Sequence, residues 1–281
     1  MQEIKLIALD LDGTLFNPEG IITPMTKAEL NRAASQGVHT VISTGRPFNG
    51  LPFEQITDTA IEYAITTNGA SIYKIAGKEC IYENTMTVET VLPILDFILS
   101  KEIHIDLYID GVGFTPIRCR ENIGRLDVPE SLRKYMIATR TTVEDLVSYV
   151  TDCGKGIQKI NLNFYPQPDG TFQYQAETLR FLKSIPTIEV VCGGFNNYEI
   201  SVAGATKSEG LRQLTALLGV TMEQTMAVGD SENDYSMINA AGVGVAMGNA
   251  SDDIKAIADY ITTTNDKDGV GEAVRHFVPS I

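Results

Sequence analysis

The sequence predicts an α/β fold: a parallel sheet flanked by helices, assembled from both ends of the chain, with an α+β segment inserted in the middle. Three observations predict it. Short apolar runs rich in β-branched residues alternate with longer stretches of helical period near both chain ends. The alternation changes texture from about Asn84 to Val190. The length of 281 residues is about twice a typical domain, and 43% apolar residues suffice for a sizeable core.

Element by element, Ile4 to Asp10 reads as a strand. Thr23-Pro24 supplies a cap and a proline at the first helical position, and Gly37 ends that helix after Gln36. Val38 to Ser43 and Tyr63 to Thr67 are the next strands, followed by a hairpin of Ser71 to Tyr73 and Cys80 to Glu83. The middle predicts a helix at Val88 to Ser100, strands at Ile105 to Ile109 and Gly113 to Pro116, and a helix at Val143 to Val150. A strand Ile157 to Phe164, a helix Tyr174 to Lys183 and a strand Thr187 to Val191 follow. From Tyr198 the first pattern resumes, with strands at Thr225 to Val228 and Val243 to Ala246 and helices at Glu232 to Ala240 and Asp252 to Ala258. The expected domains are therefore residues 1–83 with 191–281 as a core, and 84–190 as an insertion.

Twenty-two basic against 36 acidic residues leave a formal charge of −14, which disfavours nucleic acid and anionic membranes as partners. No apolar run approaches the ~20 residues of a membrane span, and the Met-Gln-Glu start carries no basic leader, so a cytoplasmic location is expected. Cys80, Cys119, Cys153 and Cys192 are far apart, and His39, His104 and His276 are scattered among them. That spacing offers no zinc site. Any metal should be a hard cation held by oxygen.

Chemistry is concentrated at strand ends. In ALDLDGTLF an apolar strand runs into Asp10 and Asp12, whose spacing of two points both side chains the same way. Ligands bind at the carboxyl ends of parallel strands, and Gly13 lets the chain turn away. Two carboxylates about 4 Å apart repel by about 4 kcal/mol at an effective dielectric of 20, so the pair invites a cation or a shared proton. In MAVGDSEND, Asp230, Asn233 and Asp234 follow another apolar strand. Acidic residues in a first helical turn also cap helices for purely structural reasons. Asp10, the Asp12 region and Asp230 together could hold one Mg²⁺.

Two donor-rich spots could receive an anion. STGRP offers the Thr44 hydroxyl, the Gly45 N–H and Arg46, which also reads as a plain loop residue before Pro47. GATKSEGL has a T-x-x-E capping pattern at Thr206 and Glu209, with Lys207 in the first helical turn. A lysine there opposes the helix dipole, a conflict that an anion bound at the same end removes. A solvated surface lysine is the alternative.

With DLDGTL from Asp10, Thr44-Gly45-Arg46, Lys207 and the stretch GDSENDYSMINAAGVGVAMGNA from Gly229 to Ala250 in that order, the chain resembles the haloacid dehalogenase superfamily of phosphohydrolases, and within it the Cof-type group with a large α/β cap. The resemblance implies a Rossmann-like core with the middle segment as a cap over the phosphate site. It implies that Asp10 attacks phosphorus and that Asp12 protonates the leaving group, then activates water. It implies Mg²⁺ on the Asp10 and Asp230 carboxylates and the Asp12 carbonyl, with Asp234 behind them orienting Lys207 or a metal-bound water. Thr44, Lys207, Asn233 and the N–H groups of Leu11 and Gly45 would hold the phosphoryl oxygens. Arg46 receives no chemical role beyond shaping its loop, and Asn68 lines the pocket mouth. The expected substrate is a small phosphorylated metabolite such as a sugar phosphate, and the expected state a monomer or weak homo-oligomer. A phosphomutase and a non-catalytic phosphosugar sensor are the alternatives. Asn84 to Thr87 and Gly193 to Asn197 are read as hinges or ordinary linkers.

Overall fold

A computed structural model describes residues 3–279. The extreme ends of the two expected core segments, 1–2 and 280–281, and with them most of the Met-Gln-Glu start, lie outside the described residues. In chain order the strands are β1 (Leu6–Leu9), β2 (His39–Ser43), β3 (Ile61–Thr66), β4 (Ser71–Lys74) and β5 (Glu79–Glu83). Next come β6 (Ile103–Ile109), β7 (Val112–Pro116), β8 (Arg140–Val143), β9 (Lys159–Phe164), β10 (Ile188–Gly193) and β11 (Asn197–Val202). The last are β12 (Thr225–Gly229), β13 (Val243–Ala246) and β14 (Tyr260–Ile261).

Among the described residues these strands form two sheets, ordered β14-β13-β12-β1-β2-β3-β4-β5 and β10-β11-β9-β6-β7-β8. From β14 to β3 the first sheet is parallel, and β4 turns back antiparallel to β3. The chain divides into two units accordingly: residues 1–46, 51–82 and 206–281, and residues 47–50 with 83–205.

In the first unit β1 is buried along its whole length, as a central parallel strand covered on both faces must be. Leu6, Ala8, Val41, Ile65 and Ala227 form one apolar face, packed on Leu211 and Leu214 of helix Lys207–Leu218 and Met237 of helix Tyr235–Ala240. Helix Pro24–Ser35 starts as predicted: the Thr23 hydroxyl accepts the Thr26 N–H, and Gly37 follows in the left-handed region. This helix packs on helix Gly269–Phe277.

In the second unit the side chains of β6 alternate. Ile103, Ile105, Leu107 and Ile109 join Ile160, Leu162 and Phe164 of β9 in a core shared with helices Val88–Leu99 and Leu146–Cys153. The residues between them, His104, Asp106 and Tyr108, belong to the opposite face of the strand, yet they are buried too.

The structure differs from expectation in several places. The chain returns to the first unit at Thr206, not at residue 191, because β10 and β11 pair with each other and β11 pairs with β9 in the second sheet. Gly193 to Asn197 is the hairpin joining those two strands, with Phe195 and Asn196 at positive φ, so it is no domain linker. Val143 ends strand β8 and the helix expected there begins at Leu146, capped by Asp145. All four cysteines are free thiols, and among the described residues no helix is long and apolar enough to cross a membrane.

Candidate active site

The parallel register of β1 with β12 sets Leu9 beside Val228, so Asp10 and Asp230 leave the carboxyl ends of neighbouring strands. The Asp10 N–H still donates to the Val228 carbonyl, at 3.0 Å. Thr44 follows β2 on the other side of β1, and its N–H donates to the Ile65 carbonyl of β3, at 2.9 Å. One end of the sheet thus gathers three of the predicted segments by topology alone.

Close backbone approach lets them converge. Gly13 has φ of +88°, and a Cβ there would lie 2.5 Å from an Asp230 carboxylate oxygen. A Cβ on Gly229 would lie 2.5 Å from Asp234, and one on Gly69 would meet the Thr206 carbonyl at the start of helix Lys207–Leu218. These glycines are where other residues would push the site apart.

Lys207 is the centre of the arrangement. It is 1% exposed, and its ammonium donates to Asp10 Oδ1 and to Asp234 Oδ1, each at 2.6 Å. The surface-lysine alternative is therefore excluded. Thr206 caps the helix by accepting the Glu209 N–H, but the Glu209 carboxylate accepts from Gln213 instead of closing the reciprocal half of a capping box. Burial works against charge on Lys207, but Asp10 and Asp234 outweigh it and raise its pKa, so the ammonium persists.

Three carboxylates face this one ammonium. Oxygens of Asp10, Asp230 and Asp234 lie within 4.8 Å of one another. Burial first, then repulsion from Asp234, lifts Asp10 well above the ordinary carboxylate range. Asp230 is pushed up to about 6, chiefly by burial, although the Thr14 hydroxyl donates to its Oδ1 at 2.9 Å. A surplus of carboxylates over cations, two of them buried and Asp230 half-buried, is the donor chemistry of a hard divalent cation. Asp234 has no free share in it: Oδ1 takes Lys207, and Oδ2 accepts the N–H groups of Asp230 and Ser231. Asp10 and Asp230 are thus the carboxylates that fit a metal, with Asp234 fixing Lys207 and the turn behind them.

The remaining predicted residues divide. Thr44 is buried, and its hydroxyl accepts the Arg46 N–H at 3.2 Å. Asn68, at φ of +58°, sets its side chain against Gly45, where a Cβ would meet Oδ1 at 2.9 Å. Leu11 is buried in the turn after β1, while Asn233 is exposed and accepts from the Ser231 hydroxyl at 2.8 Å. The Asp12 carboxylate does not join the buried cluster. It is 59% exposed and gripped by Arg46, whose Nε reaches Oδ2 at 2.8 Å and Nη2 reaches Oδ1 at 2.6 Å. The loop-shaping role expected for Arg46 is too small a description of that contact.

Sequence reasoning missed two residues. Thr14 holds Asp230, and its signal was its place in the DGT run. Asn249 donates to the Gly13 carbonyl at 2.8 Å and accepts the Asn265 N–H at 3.0 Å, tying the tight turn to two later loops. It stands in the stretch that carries the resemblance, but nothing local marks it as a partner of a residue 236 positions earlier.

Residues 7–274 match the family model described as haloacid dehalogenase-like hydrolase. The chain is 31% identical to the 5-amino-6-(5-phospho-D-ribitylamino)uracil phosphatase YcsE of Bacillus subtilis, over 98% of this chain and 96% of that protein. It is 30% identical to the pyridoxal phosphate phosphatase YbhA of Escherichia coli, over 96% and 97%. A solved haloacid dehalogenase-like hydrolase from B. subtilis superposes with a TM-score of 0.81 at 29% identity, covering 98% of this chain and all of the other.

Proposed function

The chain belongs to the haloacid dehalogenase-like hydrolase family and is a phosphoric monoester hydrolase; on that premise we propose that it is a Mg²⁺-dependent phosphatase of small phosphomonoesters, with Asp10 as nucleophile and Asp12 as acid and base. The observation that carries this reading is the buried Lys207 shared by Asp10 and Asp234 beside Asp230. Lys207 orients Asp10 and presents positive charge where phosphoryl oxygens must sit.

An oxygen of the Asp10 carboxylate attacks phosphorus while the P–O bond to the leaving group breaks in line, giving an aspartyl-phosphate. Protonated Asp12 delivers its proton to the departing oxygen. The resulting Asp12 carboxylate then takes a proton from water, whose oxygen attacks phosphorus, releasing inorganic phosphate and free Asp10. Asp10, Asp230 and the Asp12 backbone carbonyl would hold Mg²⁺, which when bound neutralises the charge gathering on the phosphoryl oxygens. Thr44, Asn233 and the N–H groups of Leu11 and Gly45 would position those oxygens with Lys207.

The named relatives act on a phosphoribityl compound and a phosphorylated cofactor, which supports a polar phosphomonoester of metabolite size. A panel of sugar phosphates, phosphorylated cofactors and aryl phosphates, read by released phosphate with Mg²⁺ and with EDTA, tests the reading. Mg²⁺-dependent release without any bisphosphate activator is expected, which a phosphomutase or a binding-only sensor would not give. Near-normal turnover by Asp10→Asn would overturn the assignment.

A further inference from the structure

The Asp12 carboxylate stands at the rim of the site with more than half its side chain in solvent, where it would sample many rotamers. General-acid catalysis needs the opposite: one oxygen held within hydrogen-bond reach of the leaving group at the moment the bond breaks. Something must fix it.

Among the described residues the partner that does so is Arg46. Its Nε and Nη2 meet the two carboxylate oxygens in a fork at 2.8 and 2.6 Å, which fixes the carboxylate plane as well as its position. Each oxygen keeps a second lone pair, so the fork does not use up the carboxylate's capacity for a further hydrogen bond. The guanidinium is itself oriented. It lies over the ring of buried Phe16, 5.7 Å from its centroid. Its backbone is tied at both groups: the Arg46 N–H donates to the Thr44 hydroxyl at 3.2 Å, and its carbonyl accepts the Thr67 N–H at 3.0 Å. The end of β2 is thereby linked through one side chain to the group two residues after the nucleophile.

We infer that Arg46 is a positioning residue, whose bidentate grip on Asp12 aligns the proton that the leaving group receives. This rests on the reading of Asp12 as acid and base, and the first of its two steps is the one in which the leaving group decides how much the alignment matters. A leaving group that departs unprotonated has no need of the alignment; an alkoxide does.

The test is kcat/KM, which reports the steps up to leaving-group departure, for two substrates: glycerol phosphate, with a poor leaving group, and 2,4-dinitrophenyl phosphate, with a good one. Arg46→Ala is expected to lose about 100-fold on glycerol phosphate, a typical general-acid contribution, and less than about 5-fold on the dinitrophenyl ester. Arg46→Lys keeps the charge but not the fork, and should show the same selective loss. Added guanidinium ion should restore part of the glycerol phosphate rate to Arg46→Ala. Equal losses on both substrates, or full activity of Arg46→Lys, would overturn the inference, and turnover of the dinitrophenyl ester confirms that the variants are folded. Asp12→Asn separates the two readings. If it discriminates between the substrates and the Arg46 variants do not, the positioning role fails alone. If Asp12→Asn does not discriminate, the assignment of the acid fails first.

Discussion

Each unit of the molecule buries a cluster of charges, and the two clusters are built on opposite terms. In the second unit Asp106 lies between Arg140, whose Nε is 2.9 Å from one carboxylate oxygen, and His104, whose Nε2 is 3.2 Å from the other. Arg140 also donates to the Tyr108 hydroxyl, and Lys159 pairs with Glu199 at 3.1 Å. Cations and carboxylates balance. Burial opposes charge on Asp106, yet Arg140 and then His104 hold its pKa below the usual carboxylate range. In the first unit Asp10, Asp230 and Asp234 share one lysine, and Asp10 and Asp230 are both pushed up. A network whose charges balance needs no further ion and serves the fold. An unbalanced one needs a proton or a cation to complete it, and that deficit, more than burial or charge as such, sets the first cluster apart and supports the proposed site.

Removing one carboxylate from each cluster should separate them most sharply. Asp10→Asn is expected to abolish phosphate release, by more than about 10³-fold, because the amide cannot form the aspartyl-phosphate. Its melting temperature in EDTA should equal or exceed that of the wild type, since a repelled carboxylate is gone and Lys207 keeps Asp234. Asp106→Asn should do the reverse to stability. It leaves Arg140, whose side chain is 5% exposed, short of its countercharge, and such losses cost about 3–5 kcal/mol. Urea unfolding of both variants checks the contrast, and two equal destabilisations would erase it.

That contrast was only half legible in the sequence. β1, β2 and β12 announce themselves as apolar runs ending in polar residues, because a central parallel strand is buried on both faces and leaves its chemistry to its carboxyl end. Lys207 was legible as a local conflict with the helix dipole. The Asp12 to Arg46 fork was not, since it joins residues 34 positions apart through a strand pairing that no local pattern encodes. The same holds for Asp106 with Arg140, also 34 apart. The pattern that resumes from Tyr198 does not tell which sheet Asn197–Val202 joins, so the expected return of the chain to the first unit falls too early. Arg140–Val143, polar and half-exposed at the end of its sheet, carries too weak a pattern to be told from the start of the helix that follows.

A smaller effect follows from supplying the missing charge. Mg²⁺ should raise the stability of the wild type by about 2.7 kcal/mol when present at a hundred times its dissociation constant. Asp230→Asn should lose most of that gain, and Asp106 variants should retain it, because the second cluster has no vacancy for a cation. Thermal melts with and without Mg²⁺ measure this; an equal Mg²⁺ effect in the Asp230 variant would place the metal elsewhere.

The smallest effect is in the pH dependence, where the two clusters should slope in opposite directions. Asp230 has a folded-state pKa of about 6 against an ordinary value of 3.8, so the folded protein binds that proton more tightly than the unfolded chain does. Its contribution to stability is present in full below about pH 4 and is lost as pH rises towards 6; Asp10, shifted the same way, adds to the slope. A two-unit shift corresponds to about 3 kcal/mol, and partial exposure of Asp230 reduces it to about 1–2. Asp106, shifted down, contributes stability that is present above the ordinary carboxylate pKa and lost as pH falls below it. In EDTA, urea midpoints should therefore decline from pH 4 to pH 6, and Asp230→Asn should flatten that decline. Saturating Mg²⁺ should reverse its sign, because a bound cation holds the same carboxylates ionised in the folded state and turns a group that resists losing its proton into one that resists gaining it. A decline that persists unchanged in Mg²⁺ would mean that the cation does not reach these oxygens, and the surplus charge of the first cluster would need another partner.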